Sequence, residues 1–218
     1  MTQISPFLLL NGILNEPDDM FTWTDRSERL LQLEHGIISE KIEYHIGVIR
    51  RPSRLKKLSS DLAEVINDYN MKGQRANAIA HSNGNVLMCR ALRAHPGIKI
   101  DTLFMLMPAC WASMEENGLN LALKRGQIKR IVCFGSDDDR VVKWGGKTGF
   151  LKWMGLGYGT ASHTGLTEID PEIADRVKQV RKEGWGHSTF GQYDVLEDFI
   201  KDEILSEVVE LQSSLSLN

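Results

Sequence analysis

Ala80-His81-Ser82-Asn83-Gly84 places a hydroxyl between small residues two positions before and two positions after it. A serine on a sharp strand-to-helix turn needs that spacing, because the strained backbone presses both flanking positions against neighbouring elements. Such a turn lifts the hydroxyl above the sheet and sets it at a helix start, where backbone N–H groups favour negative charge. The string alone fits a Ser/Asn helix cap equally well, so its meaning depends on what lies downstream.

Two later stretches supply that context. Gly135-Ser136-Asp137-Asp138-Asp139-Arg140-Val141-Val142 follows the apolar run Ile131 to Phe134. A carboxylate at such a strand end could orient and charge-stabilise a histidine. Hydration of an acidic turn, or a cation site, would use the same residues, but three consecutive acids cannot all point to one place. Gly184-Trp185-Gly186-His187-Ser188 then offers a histidine in a glycine-flanked loop before the last helix-like segment. The other histidines are less suggestive: His35 and His95 stand near helix ends, His45 on a strand, His163 in an irregular stretch.

The elements that must carry these residues alternate along the chain. Phe7 to Leu10, Ala76 to Ala80, Leu103 to Met107, Ile131 to Phe134 and Val177 to Arg181 read as strands, most of them short continuous apolar runs. Ile42, Tyr44 and Ile46 alternate with polar residues, which predicts a half-buried strand. Between them, Arg26 to Glu34, the Leu62-Val65-Ile66-Tyr69 face, Val86 to Ala94 and the Ile200-Ile204-Val208-Leu211 face read as helices. Ser59 and Ser60 are expected to cap the second of these, and Pro96-Gly97 to stop the third. Strands alternating with helices predict an α/β fold with a mostly parallel central sheet. No repeat, linker or low-complexity tract interrupts residues 1–218, so a single domain is expected.

Composition narrows the function classes. Hydrophobic residues make up 42% and charged residues 25%, with a net charge of −3. That balance argues for a globular chain and against a dedicated nucleic-acid binder. The one notable charge run, Arg50, Arg51, Arg54, Lys56 and Lys57, reads as a solvated loop and helix start. Cys89, Cys110 and Cys133 lack metal-ligand spacing and sit in apolar surroundings, as buried reduced thiols do. No apolar stretch reaches the roughly 20 residues of a membrane span, and Met1 to Ser5 lacks a basic leader. A cytoplasmic location is the expectation, with no cofactor and no metal.

The order Ser82, then Asp137–Asp139, then His187 resembles the α/β-hydrolase family, whose triad runs Ser…Asp/Glu…His along the chain. The resemblance covers most of the chain from Phe7 onward. It implies a three-layer α/β-hydrolase-like sandwich, shortened at its N-terminal edge, with no large lid between Met107 and Ile131. Members often carry Gly-x-x-Asp-x-x-Val after the strand before the acid. Matching Gly135 and Val141 to that string selects Asp138, with Asp139, directly before Arg-Val-Val, as the closest competitor.

The resemblance also implies an oxyanion hole formed by the backbone N–H groups of Asn83 and of Ile13, with Gly12 the weaker choice for the second donor. Asn11 departs from the histidine more common there. Trp111, Met114 and Trp144 are expected to line an acyl or alcohol pocket, core packing being the plainer reading of the same residues. The implied activity is hydrolysis of a small-molecule carboxylic ester through an acyl-enzyme on Ser82. A catalytically silent scaffold of the same fold, serving as a binding protein, is the alternative. A flavodoxin-like nucleotide binder is disfavoured, since no phosphate-binding glycine motif follows the first strand.

Overall fold

The computed structural model describes residues 4–12, 22–44, 52–145 and 159–215, the side chains of 143–145, 193 and 212–215 excepted. Six strands, β1 (Phe7–Leu10), β2 (Ser39–Ile42), β3 (Ala76–His81), β4 (Ile100–Leu106), β5 (Ile128–Gly135) and β6 (Val177–Arg181), join in one sheet. Their spatial order is β2-β1-β3-β4-β5-β6, and every neighbouring pair is parallel.

Alternation along the inner strands assigns side chains to two cores. Leu8, Leu10, Ala78, Ala80, Leu103, Met105, Ile131 and Cys133 face one side. Phe7, Leu9, Ile79, Phe104, Leu106, Val132 and Phe134 face the other. Strands buried on both faces explain why the sequence shows continuous apolar runs instead of alternation. On the first face lie α2 (Pro52–Met71), α3 (Asn83–Ala94) and α5 (Leu119–Lys124), with α4 (Met114–Asn117) just before α5. The second face is covered by α1 (Trp23–Arg29), continued by a π-helical turn Leu30–Glu34, and by the C-terminal helix. That helix runs as α8 (Tyr193–Asp198), π-helical Phe199–Leu205 and α9 (Ser206–Leu215). The short helices α6 (Arg140–Gly145) and α7 (Ala161–Thr164) sit at the strand ends.

The topology has one reversal. The chain leaves β1 through α1 to β2, then crosses back through α2 to β3 on the other side of β1. Right-handed crossovers that travel in opposite directions put their helices on opposite faces, which opens a crevice at the carboxyl ends of β1 and β3. Asn11-Gly12 and Ser82 are the residues at that crevice. The β4–β5 connection contains only α4 and α5, so no large lid rises there.

Some boundaries differ from those predicted. The half-buried strand is Ser39–Ile42, earlier than the Ile42-Tyr44-Ile46 pattern, and Ile46 lies outside the described residues. Ser59 and Ser60 are not caps, because α2 starts at Pro52; the fixed φ of proline suits a first helical position. Ser59 lies inside the helix and its hydroxyl donates to the Lys56 carbonyl at 2.9 Å.

The last helix is tied to the sheet by a buried carboxylate. Glu207 is only 3% exposed, and its two oxygens lie 2.5 Å from Arg130 Nη2 on β5 and 2.5 Å from Lys178 Nζ on β6. Both cations keep part of their side chains in solvent, so the carboxylate is the group that depends on the pairing. Glu207→Ala is expected to lower stability by on the order of 2 kcal/mol, read as a lower urea midpoint. An unchanged midpoint would show that the pair contributes nothing net.

Candidate active site

β3 ends at His81 and α3 starts at Asn83, so the chain turns on Ser82 alone. It does so with φ 52° and ψ −117°, outside the regions a serine prefers. Such a backbone costs roughly 1–3 kcal/mol and persists only where its surroundings over-determine it. Here the Ser82 N–H donates to the Leu106 carbonyl at 3.0 Å, and the Ala109 N–H donates to the Ser82 carbonyl at 3.2 Å. The fully buried Asn85 side chain donates through Nδ2 to the Ala80 carbonyl at 2.7 Å.

Close approach explains the small residues around the turn. A Cβ on Gly84 would stand 2.8 Å from the Leu10 carbonyl oxygen and 2.9 Å from that of Asn11. One on Gly12 would stand 2.9 Å from Ser82 Cβ. Loop β1–α1 therefore lies directly against the serine. Asn11 shapes this loop: its Oδ1 accepts the Gly12 N–H and the Trp23 indole N–H, each at 2.7 Å. Its carbonyl accepts the Tyr44 hydroxyl, whose pKa is pushed up by burial.

Ser82 Oγ lies 2.8 Å from His187 Nε2, and His187 Nδ1 lies 2.8 Å from Asp139 Oδ2. The acid beside the histidine is thus Asp139, not Asp138 as the string match selected. Asp138 instead accepts the Gly184 N–H at 3.0 Å, and the largely exposed Asp137 pairs with Arg181. The three acids point three ways. Asp139 is the fully buried one, and its Oδ1 accepts the Val142 N–H at 3.1 Å, capping α6. An aspartate before Arg-Val-Val at a helix start is the sequence signal for this role.

Burial alone would raise the Asp139 carboxyl. Hydrogen bonds from His187, Ser162 and the Val142 amide, with electrostatic attraction to the His187 ring, bring it below the ordinary carboxylate value. Ser162 Oγ donates to Asp139 Oδ2 at 2.5 Å, a contact no sequence motif announced. An ionised carboxylate only accepts, so His187 carries its proton on Nδ1 and turns a bare Nε2 toward the serine.

His81 holds the histidine from behind. A carbonyl only accepts, so the 2.9 Å contact to His187 O means that His81 donates from Nε2. Its ring lies 4.9 Å from that of His187 and 4.9 Å from that of Phe190, centroid to centroid. Of the two expected oxyanion donors, Asn83 opens the 12-residue helix α3 next to Ser82. Ile13 lies outside the described residues, and the Gly12 N–H is engaged by Asn11.

No family profile matches this sequence, and no curated protein sequence matches it. Solved structures do. A carboxylesterase from the thaumarchaeon Nitrososphaera gargenis superposes with TM-score 0.53 at 12% identity, covering 95% of this chain and 92% of that one. The Bacillus licheniformis lipase BlEst2 gives 0.55 at 12% identity, over 94% and 92%. The ydeN gene product of B. subtilis gives 0.56 at 12% identity, over 91% and 97%. The chain has the α/β-hydrolase fold.

Within that α/β-hydrolase fold the pocket expectations separate. Met114 is wholly buried in the core of the first face, so the packing reading applies to it and the pocket reading does not. Trp111, half-buried, does line a cavity. The Trp144 side chain lies outside the described residues. The three cysteines are free and buried. Among the described residues, no three His, Cys, Asp or Glu side chains are grouped to hold a metal, and no helix is long and apolar enough to cross a membrane.

Burial pushes the His81 pKa down to about 3, with the neighbouring His187 adding to the shift. A free histidine near 6.5 takes up a proton that the folded one refuses, so between these values the unfolded state binds more protons. The contribution of His81 to stability is therefore intact above pH 6.5 and lost as pH falls toward 3. The expected slope is about 1.4 kcal/mol per pH unit in that window. Urea titrations from pH 7 to pH 4.5 should show a shallower fall for His81→Gln, which keeps a donor toward the His187 carbonyl but cannot titrate. Parallel curves would mean that His81 takes up its proton equally in the folded and unfolded states, which would overturn the lowered pKa.

Proposed function

We propose that this chain is a serine hydrolase that cleaves carboxylic esters through Ser82, His187 and Asp139. The observation that carries the reading is the pair of 2.8 Å contacts linking Ser82 Oγ, the His187 ring and Asp139. These three side chains come from the ends of β3, β5 and the loop after β6, and meet at the crevice where strand order reverses. The alternative, a silent scaffold of the same fold, expects at least one of them out of reach. The contacts favour the hydrolase.

The chemistry follows from the tautomer. His187 Nε2 takes the proton of Ser82 Oγ as the oxygen attacks the acyl carbonyl. The tetrahedral oxyanion develops at the start of α3, against the Asn83 N–H and a second N–H from the β1–α1 loop. The imidazolium formed is stabilised by Asp139, and it protonates the departing alkoxide, leaving an acyl group on Ser82. Water then gives its proton to His187 and attacks the ester of Ser82, releasing the carboxylic acid and restoring the serine. The carboxylesterase and lipase names of the structural neighbours agree with an ester substrate. A cytoplasmic setting and action without a cofactor belong to the same proposal.

Ser82→Ala is expected to abolish p-nitrophenyl acetate turnover while leaving the circular dichroism unchanged. A fluorophosphonate probe should label the native chain and not this variant; labelling of both would sink the assignment. The acid is separable by a paired substitution. Asp139→Asn should reduce kcat by about four orders of magnitude by favouring the wrong tautomer. Asp138→Asn should stay within about threefold, since it removes only an exposed charge and keeps an oxygen that can accept the Gly184 N–H. The opposite ranking would return the role to Asp138.

A further inference from the structure

A cavity of about 620 Å³ lies between α2, α3 and the segment that leads from β4 into α4. Its wall brings together bases that are far apart in sequence: Lys56 from α2, and Arg90 and Arg93 from α3. Among the described residues, Glu116 is the single carboxylate on the lining. A local excess of positive charge stands out in a chain whose net charge is −3. It also gives a role to part of the basic run at the start of α2, which the triad does not use.

The bases differ in how they are held. Arg93 is fixed by its Nη1, which donates to the Glu116 carbonyl at 3.4 Å, while its Cγ and Cδ pack beside Gly118. Lys56 and Arg90 are exposed, and neither forms an ion pair within the described residues. Unpaired cations over a concave wall are where an anion gains most from charge-assisted hydrogen bonds. The same wall also carries the half-buried Val86 and Trp111. A ligand that satisfies both has an anionic head and an apolar stem.

The cavity is a neighbour of the triad and not part of it. Val86 lies one helical turn beyond Ser82, and Trp111 follows Ala109, whose N–H holds the Ser82 carbonyl. Ser82 Oγ, His187 and Asp139 are absent from its lining. We infer that this cavity binds a small soluble amphiphile with a phosphate or carboxylate head, seated on Lys56, Arg90 and Arg93 with its stem against Val86 and Trp111. The inference does not rest on the hydrolase activity, because no triad atom contributes to it.

Octyl phosphate, kept below its critical micelle concentration, is a suitable probe by titration calorimetry. The native chain and Ser82→Ala should both bind it saturably at one site, and added sodium chloride should weaken the binding. Lys56→Ala/Arg90→Ala should bind about tenfold or more weakly. Both side chains are exposed, so the fold should be unaffected; Arg90→Glu alone, checked for an unchanged melting temperature, serves as a second variant. Octyl glucoside, with the same tail and a neutral head, should not bind. Absence of saturable octyl phosphate binding, equal binding by the variants, or equal binding of octyl glucoside would overturn the inference. So would binding only to vesicles containing phosphatidic acid, since that would make the bases a membrane-facing surface.

Discussion

Everything at the site depends on one strained residue, Ser82, held at φ 52° between β3 and α3. The strain is sustained by groups that are themselves buried and have little freedom to move. Asn85 clamps the carbonyl end of β3, Leu106 and Ala109 clamp the serine backbone, and two glycines leave the space for it. A turn of this kind cannot relax without unpairing β3 from β4, which shares the same hydrogen-bond row. The hydroxyl therefore has a fixed position, and under the proposed function that fixed geometry is what a fast proton transfer requires.

The same logic runs through the histidine. Its ring is oriented by Asp139 on one side and its backbone by His81 on the other, so the loop after β6 is pinned at both ends of one residue. Asp139 is held in turn by Ser162 and by the start of α6. Each group that must carry charge has partners that favour the charge, while His81, which must stay neutral, is buried where a charge is costly. Opposite environments thus lie within a few ångströms of each other, one favouring a charged carboxylate and one a neutral imidazole.

Much of this was legible in the sequence, and the reasons are physical. Continuous apolar runs such as Phe7 to Leu10 exist because both faces of the sheet are covered, and small residues at Ala80 and Gly84 exist because backbone passes close by. The choice between Asp138 and Asp139 was not legible from a motif count, since one residue of slip changes which side chain faces inward. The deciding force is the cap that Asp139 forms on α6, a local bond that family spacing does not encode. Ser162 and His81 were overlooked for a different reason: their partners lie far away in sequence, and only the folded chain brings them together. The shifted second strand and the early start of α2 reflect pairing with β1 and the proline at position 52, which override side-chain alternation.

The segment 159–162 is stitched to the end of β4 by the Gly159, Ala161 and Ser162 amides, which donate to Ala109, Cys110 and Pro108. Its Ser162 carbonyl also accepts the Ser136 amide and the Arg181 guanidinium. The chain thus arrives back on the sheet at a fixed address, just as α6 leaves from one. The Ala109 peptide unit does double duty in this, since its carbonyl accepts the Gly159 amide while its own N–H donates to the Ser82 carbonyl. One peptide unit thereby couples the returning chain to the strained turn, and a disturbance at Gly159 is felt at Ser82 two hydrogen bonds away.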